Sequence, residues 1–591
     1  MTSHSLLSFC SAAWRAALPV AAACAVAGCA GSLPPAADAQ APQTKSLATA
    51  DGPPSAPRPE LPNLDLTRDL LYEFLIAEVA GQRGNLTLAA QAYVDLAKRT
   101  RDPRIAERAT EMALYARMPD AAVESAQVWA DADPDNPRAL ATASSLLIRL
   151  NRLDDAEPYL RRVLAAQSAG RGDGFLQLNR LLANGPDKAG SLRLVQRLAE
   201  QYPELAQAHY AIAQAAAGAD QNDLALKEVR EAARLAPDWE LAALYEAALL
   251  QKTSTTAAAD RLAGYLKAHP GSREVRLAYA RVLVAGKSYP EARAQFEQLL
   301  REYPDNAEVV FSVAILSMQL EDWRSAETNL KRLLDLGYRD RDAVRFYLGQ
   351  VAEEQKHWAD ALQWYAEVTR GEQFLPAQIR RAQVLSKQGD LDGARKFLQD
   401  VNAANNDQRA QLIIAEAQLL REANQPQAAF ELVERGLDKL TDQPDLLYDY
   451  AMLADKVGRA DLLESSLRKL IKLRPDNAQA YNALGYSFAD RNERLDEAKE
   501  LIETALKLAP EDSFIIDSLG WVLYRQGKTE EALKQLQRAY AGRQDPEIAA
   551  HLGEVLWVLG RRADAQKVWD AALSKTPSND VLMRTVQRLK D

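Results

Sequence analysis

Cysteine is nearly missing from this chain of 591 residues. Its three cysteines, Cys10, Cys24 and Cys29, all lie within the first 29 residues. The remainder therefore holds no disulfide framework, no cysteine metal site and no thiol nucleophile. Histidine is scarce as well. His4, His209, His269, His357 and His551 are scattered, with no pair at metal-ligand spacing. HExxH, P-loop and GxSxG patterns are absent. Basic excess is lacking: 72 Lys and Arg against 82 Asp and Glu leave a formal net charge of -10, which removes the electrostatic footprint of a nucleic-acid binder. Aromatics are 7% of the chain and β-branched runs are few. The acidic pairs Glu353-Glu354 and Glu530-Glu531 read as solvated helix faces rather than catalytic carboxylates. The expectation is a protein that is not an enzyme and holds no cofactor and no metal.

What abounds is Ala and Leu, a composition that favours helix. The first 28 residues are different. Arg15 is their only Lys or Arg, and the run AALPVAAACAVAG that follows it has signal-peptide length, too short to span a bilayer. It ends in Val26-Ala27-Gly28-Cys29, which resembles a bacterial lipobox. The resemblance implies a lipoprotein signal peptide over 1–28 and lipidation of Cys29; the other reading is an ordinary signal peptide with an incidental cysteine. Cys10 and Cys24 then leave with the signal. Ala30, rather than Asp, at the next position implies the outer membrane of a Gram-negative bacterium, with the chain on the periplasmic face. Residues 29–66 form a Pro- and Ala-rich segment, expected to be a flexible tether. Asn85-Leu86-Thr87 matches a glycosylation triplet, which a bacterial lipoprotein gives no reason to use.

From about residue 67 the chain alternates apolar helical stretches with short turns. A small residue is followed twelve positions later by Pro at Ala122/Pro134, Ala225/Pro237, Ala258/Pro270, Ala292/Pro304, Ala498/Pro510 and Ala565/Pro577. Ser191/Pro203 and Leu463/Pro475 keep the spacing. Ala225, Ala258, Ala292 and Ala326 step by about 34 residues, the length of a tetratricopeptide (TPR) repeat. The last units show the pattern in full: Gly485, Ala498 and Pro510; Gly520 and Ala532; Gly553, Ala565 and Pro577. Two antiparallel helices approach closely only where side chains are small, and Pro stops the second helix. The sequence therefore predicts an all-α TPR solenoid. A degenerate N-terminal arm is expected over 67–203, a main solenoid over 204–577 and a capping helix over 578–591. Roughly 15 helix pairs fit the length, of which about 11–15 are recognisable repeats. Glycine-rich residues 166–190 interrupt the pattern and leave only Phe175–Asn184 as a short helix. They read either as a hinge or as a degenerate repeat without a mechanical role. Trp358, Trp364, Trp521, Trp557 and Trp569 sit at helical spacing beside Leu and Ala, as core residues do.

Two segments are more specific. One is Leu71-Tyr72-Glu73-Phe74-Leu75-Ile76-Ala77-Glu78-Val79-Ala80-Gly81-Gln82-Arg83, with Thr100-Arg101-Asp102-Pro103 downstream. The other runs from Asn482-Ala483-Leu484-Gly485-Tyr486 through Ile516-Asp517-Ser518-Leu519-Gly520-Trp521. With the lipobox, they resemble a proteobacterial outer-membrane TPR lipoprotein family, in particular the lipoprotein adaptor of a periplasmic carboxyl-terminal processing protease. That resemblance implies a scaffold that binds and activates the protease and brings it substrates such as peptidoglycan hydrolases. Of site residues it carries over only Cys29. The alternative is an assembly lipoprotein of an envelope machine, for exopolysaccharide export or type IV pilus secretin assembly.

Overall fold

The computed structural model describes residues 61–166 and 171–590. The expected signal peptide, Cys29 and the tether as far as residue 60 lie outside the described residues, as do 167–170 of the interruption. Residues 61–67 carry no regular structure, and from Arg68 onward the described chain is helical, without strands.

The chain divides into two compact units between Pro304 and Asp305. The first contains α1 (Arg68–Gln82), α2 (Leu86–Thr100), α3 (Pro103–Tyr115), α4 (Pro119–Ala132), α5 (Pro137–Arg149), α6 (Leu153–Ala166) and α7 (Arg171–Leu182). It continues through α8 (Lys188–Ala199), α9 (Ala206–Gly218), α10 (Asn222–Leu235), α11 (Glu240–Gln251), α12 (Thr255–Ala268), α13 (Arg273–Ala285) and α14 (Tyr289–Glu302). The second contains α15 (Ala307–Gln319), α16 (Trp323–Asp335), α17 (Arg341–Glu354), α18 (Trp358–Ala366), α19 (Phe374–Lys387), α20 (Leu391–Asp400), α21 (Asn406–Glu422) and α22 (Pro426–Leu437). It ends with α23 (Pro444–Lys456), α24 (Ala460–Leu473), α25 (Ala478–Asp490), α26 (Leu495–Leu508), α27 (Ser513–Arg525), α28 (Thr529–Gly542), α29 (Pro546–Val558), α30 (Arg562–Lys575) and α31 (Asp580–Lys590). Within each unit, consecutive helices pack as antiparallel pairs, and the first helix of a pair rests mainly on the second helix of the pair before it. This is the all-α TPR arrangement that the period predicts.

Local sequence sets the boundaries. Asn136, Asn306 and Asp512 cap their helices by accepting from backbone N–H groups two and three residues on. Pro103, Pro137, Pro426, Pro444 and Pro546 occupy first turns, where a missing N–H costs nothing. Many turns inside a pair take one left-handed residue. Gly527 does so at φ 81° without strain, whereas Arg117, Lys287, Glu321 and Lys356 do so with a side chain. The α25–α26 turn carries one residue more than the α27–α28 turn and spends two left-handed positions, Asn492 and Arg494, to absorb it.

Around the glycine-rich interruption the regular pairing fails. Helix α7 lies against α9, while α8 lies against α6 and α9. Helix α7 also begins at Arg171, not at Phe175 as the glycines suggested. Phe175, Leu178 and Leu182 are buried in one core with Leu147, Leu198 and Ala211, and this packing overrides the weak propensity of Gly172 and Gly174. Phe175 also meets Tyr202 edge-on, with ring centroids 5.6 Å apart.

Candidate interaction surfaces

The small residues singled out by the period sit where the two helices of a pair touch. A Cβ on Gly485 would lie 2.8 Å from the Ala498 carbonyl oxygen and 2.7 Å from Ile502 Cγ1. One on Gly520 would lie 2.6 Å from Leu536 Cγ, and one on Gly553 would run into the Trp569 indole. Ala498, Ala532 and Ala565 are fully buried opposite them. Pro510 and Pro577 each stand two residues beyond the last residue of a second helix, α26 and α30, exposed to solvent. All of these residues build the scaffold and none of them forms a surface for a ligand. Trp521 and Trp569 are core, and Trp358, Trp364 and Trp557 are half-buried beside it.

Glu353 departs from its reading as a solvated residue. It is buried, accepts from Tyr365 Oη at 2.8 Å, and is bridged by Arg380 at 3.1 Å and Lys387 at 2.7 Å. Burial pushes its carboxyl up, but the two cations and the phenol hold it below the ordinary value. Glu354 beside it is exposed, as are Glu530 and Glu531. Buried acids recur on first helices: Glu246 between Arg230 and Arg261, Glu416 with Arg395, and Asp449 with Arg421 at 2.7 Å. Each pairs with a cation on another helix and so ties neighbouring pairs together.

Two surfaces are not explained by scaffolding. The first is helix α1. It buries only Ala77 and Ala80, and leaves Leu71, Leu75 and Val79 exposed in a row at i, i+4, i+8, with Tyr72 66% exposed beside them. Leu61, Leu64 and Leu66 just upstream are exposed too. Contiguous exposed apolar side chains of this kind mark contact with another molecule. The sequence held the signal, since Leu71, Leu75 and Val79 share a stripe, but a helix stripe normally faces a core.

The second is the interior of the last pairs. Residues Asp449–Asp455, Asn482–Ala489, Ile515–Leu523 and Glu547–Leu556 are buried without interruption, so these first helices are covered on all sides. Among them lies a polar cluster that the sequence reading missed. His551 Nδ1 meets Asp517 Oδ2 at 2.9 Å, and its ring stacks on Trp521 at 4.2 Å with Tyr486 at 6.1 Å. Burial pulls the imidazole down, but the Asp517 carboxylate outweighs it and the net is up to about 9. Burial pushes Glu547 up to about 7 and Asp455 up to about 6. Asp517 and His551 are one repeat length apart in sequence, so the period itself places them side by side. An open groove lined by first helices, as in TPR proteins generally, is therefore not what the last pairs present.

A stack of helix pairs with two such surfaces and with polar groups spent on cross-links defines a scaffold for protein–protein interaction. Profiles described as tetratricopeptide repeat match residues 249–313, 314–373 and 382–585. A TPR repeat-containing protein of Pseudomonas aeruginosa is 39% identical over 528 residues, covering 88% of this chain and 88% of that protein. The cellulose synthase operon protein C of Pseudomonas fluorescens is 22% identical over 75% of this chain, though over only 34% of its own length. Among solved structures, a thermophilic TPR protein of Thermus thermophilus is similar at 23% identity and a TM-score of 0.29, covering 31% of this chain and all of that one. The chain belongs to the tetratricopeptide-repeat family. Members of the family are generally non-catalytic scaffolds that bind protein partners.

Proposed function

We propose that this chain is a non-catalytic adaptor, anchored in the outer membrane through a lipid on Cys29. In this reading it binds and activates a periplasmic carboxyl-terminal processing serine protease and delivers substrates such as peptidoglycan hydrolases. The observation that carries it is the bare apolar row Leu71, Tyr72, Leu75 and Val79 on the first helix. These residues fall inside the segment whose wording resembles the protease-adaptor family, and burying such a row against a partner supplies on the order of 1.5–3 kcal/mol per large side chain.

The test is co-purification of the lipid-free body, residues 61–591, with the protease. The native row is expected to hold the complex, and the double variant Leu71→Asp, Leu75→Asp to lose it while keeping its helical circular dichroism. Retention of the complex by that variant contradicts the assignment. A second reading, assembly of an envelope polysaccharide or pilus machine, is favoured by one observation, the distant likeness to cellulose synthase operon protein C. Loss of exopolysaccharide or pili in a deletion strain, with unchanged hydrolase levels, selects it instead.

A further inference from the structure

The last helix is placed unlike any other first helix of the second unit. Where the first helices from α17 to α29 rest mainly on the second helix of the preceding pair, α31 rests chiefly on α29 and barely on α30. Arg588 is ion-paired with the buried Glu554 of α29, whose other oxygen accepts from Tyr524 Oη at 3.3 Å. Arg584 lies within electrostatic reach of Lys456 on α23, which also feels Glu547. Helix α31 is thus turned into the interior of these pairs and lies along α29.

Its hold is thin. Leu582 is its only fully buried residue, Val581, Val586 and Leu589 are partly buried, and Met583 is 41% exposed. The first helices of the same pairs, α23, α25 and α27, carry buried polar atoms short of donors. Asp517 Oδ1, Asn482 Oδ1 and Asp449 Oδ2 are acceptors buried without a hydrogen-bond partner, and Trp521 Nε1 is a buried donor without one. Their side chains are more than nine-tenths buried. Buried acceptors of this kind cost stability unless a donor reaches them.

We infer that α31 is a displaceable occupant of the interior of the last pairs, and that the site it covers takes an amphipathic helix of a protein partner bearing Arg or Lys. The inference rests on the scaffold reading above. Charge complementarity selects the occupant. The helix already seated there holds Glu554 through an arginine, and of the buried unpartnered atoms in these pairs Asp449 Oδ2, Asn482 Oδ1, Asp517 Oδ1, Gln526 Oε1 and Gln535 Oε1 accept, whereas only Trp521 Nε1 and Trp569 Nε1 donate. An apolar stripe like that of Leu582, Val586 and Leu589 would fill the same contacts on Ala549, Leu552 and Leu556, and longer basic side chains would reach Asp517 and Asn482. Helix-in-groove recognition of this form uses anchors at i, i+3, i+4 and i+7. A terminal helix held by a few contacts opens more readily than the core beneath it.

The test uses a labelled peptide of residues 578–591 as the probe, read by fluorescence anisotropy against the full chain and against a chain ending at Pro577. The truncated chain is expected to bind at least about tenfold more tightly, because a site filled nine-tenths of the time weakens apparent affinity by that factor. Glu554→Gln in the truncated chain is expected to lose most of that binding. Equal affinity for both chains, or capture by neither, overturns the inference. So does a dimer in which α31 is exchanged between two copies, which makes the occupant a second copy of this chain. If truncation costs the chain its helical signal, hydrogen exchange on the intact protein decides. Amides of α31 exchanging at least about tenfold faster than those of α29 support displacement, and exchange in step with α29 refutes it. The peptide readout is independent of the protease. Peptide capture without protease binding retires only the adaptor reading, and protease binding without peptide capture retires only this one.

Discussion

Replacing Gly485 by Ala isolates the close approach on which the helix pairs are built. The new methyl would sit 2.8 Å from the Ala498 carbonyl oxygen, 2.7 Å from Ile502 Cγ1 and 3.2 Å from Leu501 Cβ. The first of these is backbone, so α25 and α26 must move apart rather than repack a side chain. Overpacking of this kind costs about 1–3 kcal/mol, set against about 1 kcal/mol gained in helix propensity. Gly264 supplies the control. It lies inside α12 with nothing within 4 Å of an added Cβ, so Gly264→Ala keeps the propensity gain of about 1 kcal/mol and adds no clash. The difference between the two substitutions therefore reads the contact alone, about 1–3 kcal/mol. Repeat arrays respond locally, so native-state hydrogen exchange is the assay. Amides of α25 and α26 are expected to lose protection in Gly485→Ala, and those of α12 to gain it in Gly264→Ala. Equal stabilisation at both sites refutes the reasoning.

Lys287 holds a left-handed turn position at φ 60°, and Lys287→Gly is expected to raise stability by about 1 kcal/mol in urea denaturation. Glu547 sits at about 7 against an ordinary 4.5, and His551 at about 9 against 6.5. Both folded values lie above the unfolded ones. Their stabilisation is therefore full below the unfolded values and is lost as pH rises through the folded ones. The melting temperature of the last pairs should fall between about pH 5 and pH 9, and Glu547→Gln should flatten the acid half of that profile, read by calorimetry across pH. Cys29→Ser is expected to release the chain from outer-membrane fractions into the soluble periplasm, read by fractionation and immunoblot.

The array of helix pairs was legible because close packing repeats. Gly485, Gly520 and Gly553 face their second helices at steps of 35 and 33 residues, and at each an added Cβ would crowd the second helix. Polar cross-links were less legible. Glu353 looks like half of an exposed acidic pair until Arg380 and Lys387, on a later helix, are folded against it. Asp517 and His551 could have been joined by the period, but their burial depends on first helices being covered from within, which no local pattern encodes. Helix α7 was misjudged at its start because Gly172 and Gly174 lower propensity, whereas Phe175 and Leu178 supply burial that outweighs it. The apolar row of α1 carries the same stripe as a core helix, and only the fold shows that among the described residues no partner helix covers it.

Adaptor function requires that this scaffold command a protease. The direct measurement is the initial rate at which a purified carboxyl-terminal processing protease cleaves a peptidoglycan cross-link hydrolase, with increasing amounts of the lipid-free body. An adaptor gives a rise that saturates near one binding equivalent and disappears in Leu71→Asp, Leu75→Asp. A rate unchanged by the native body contradicts it.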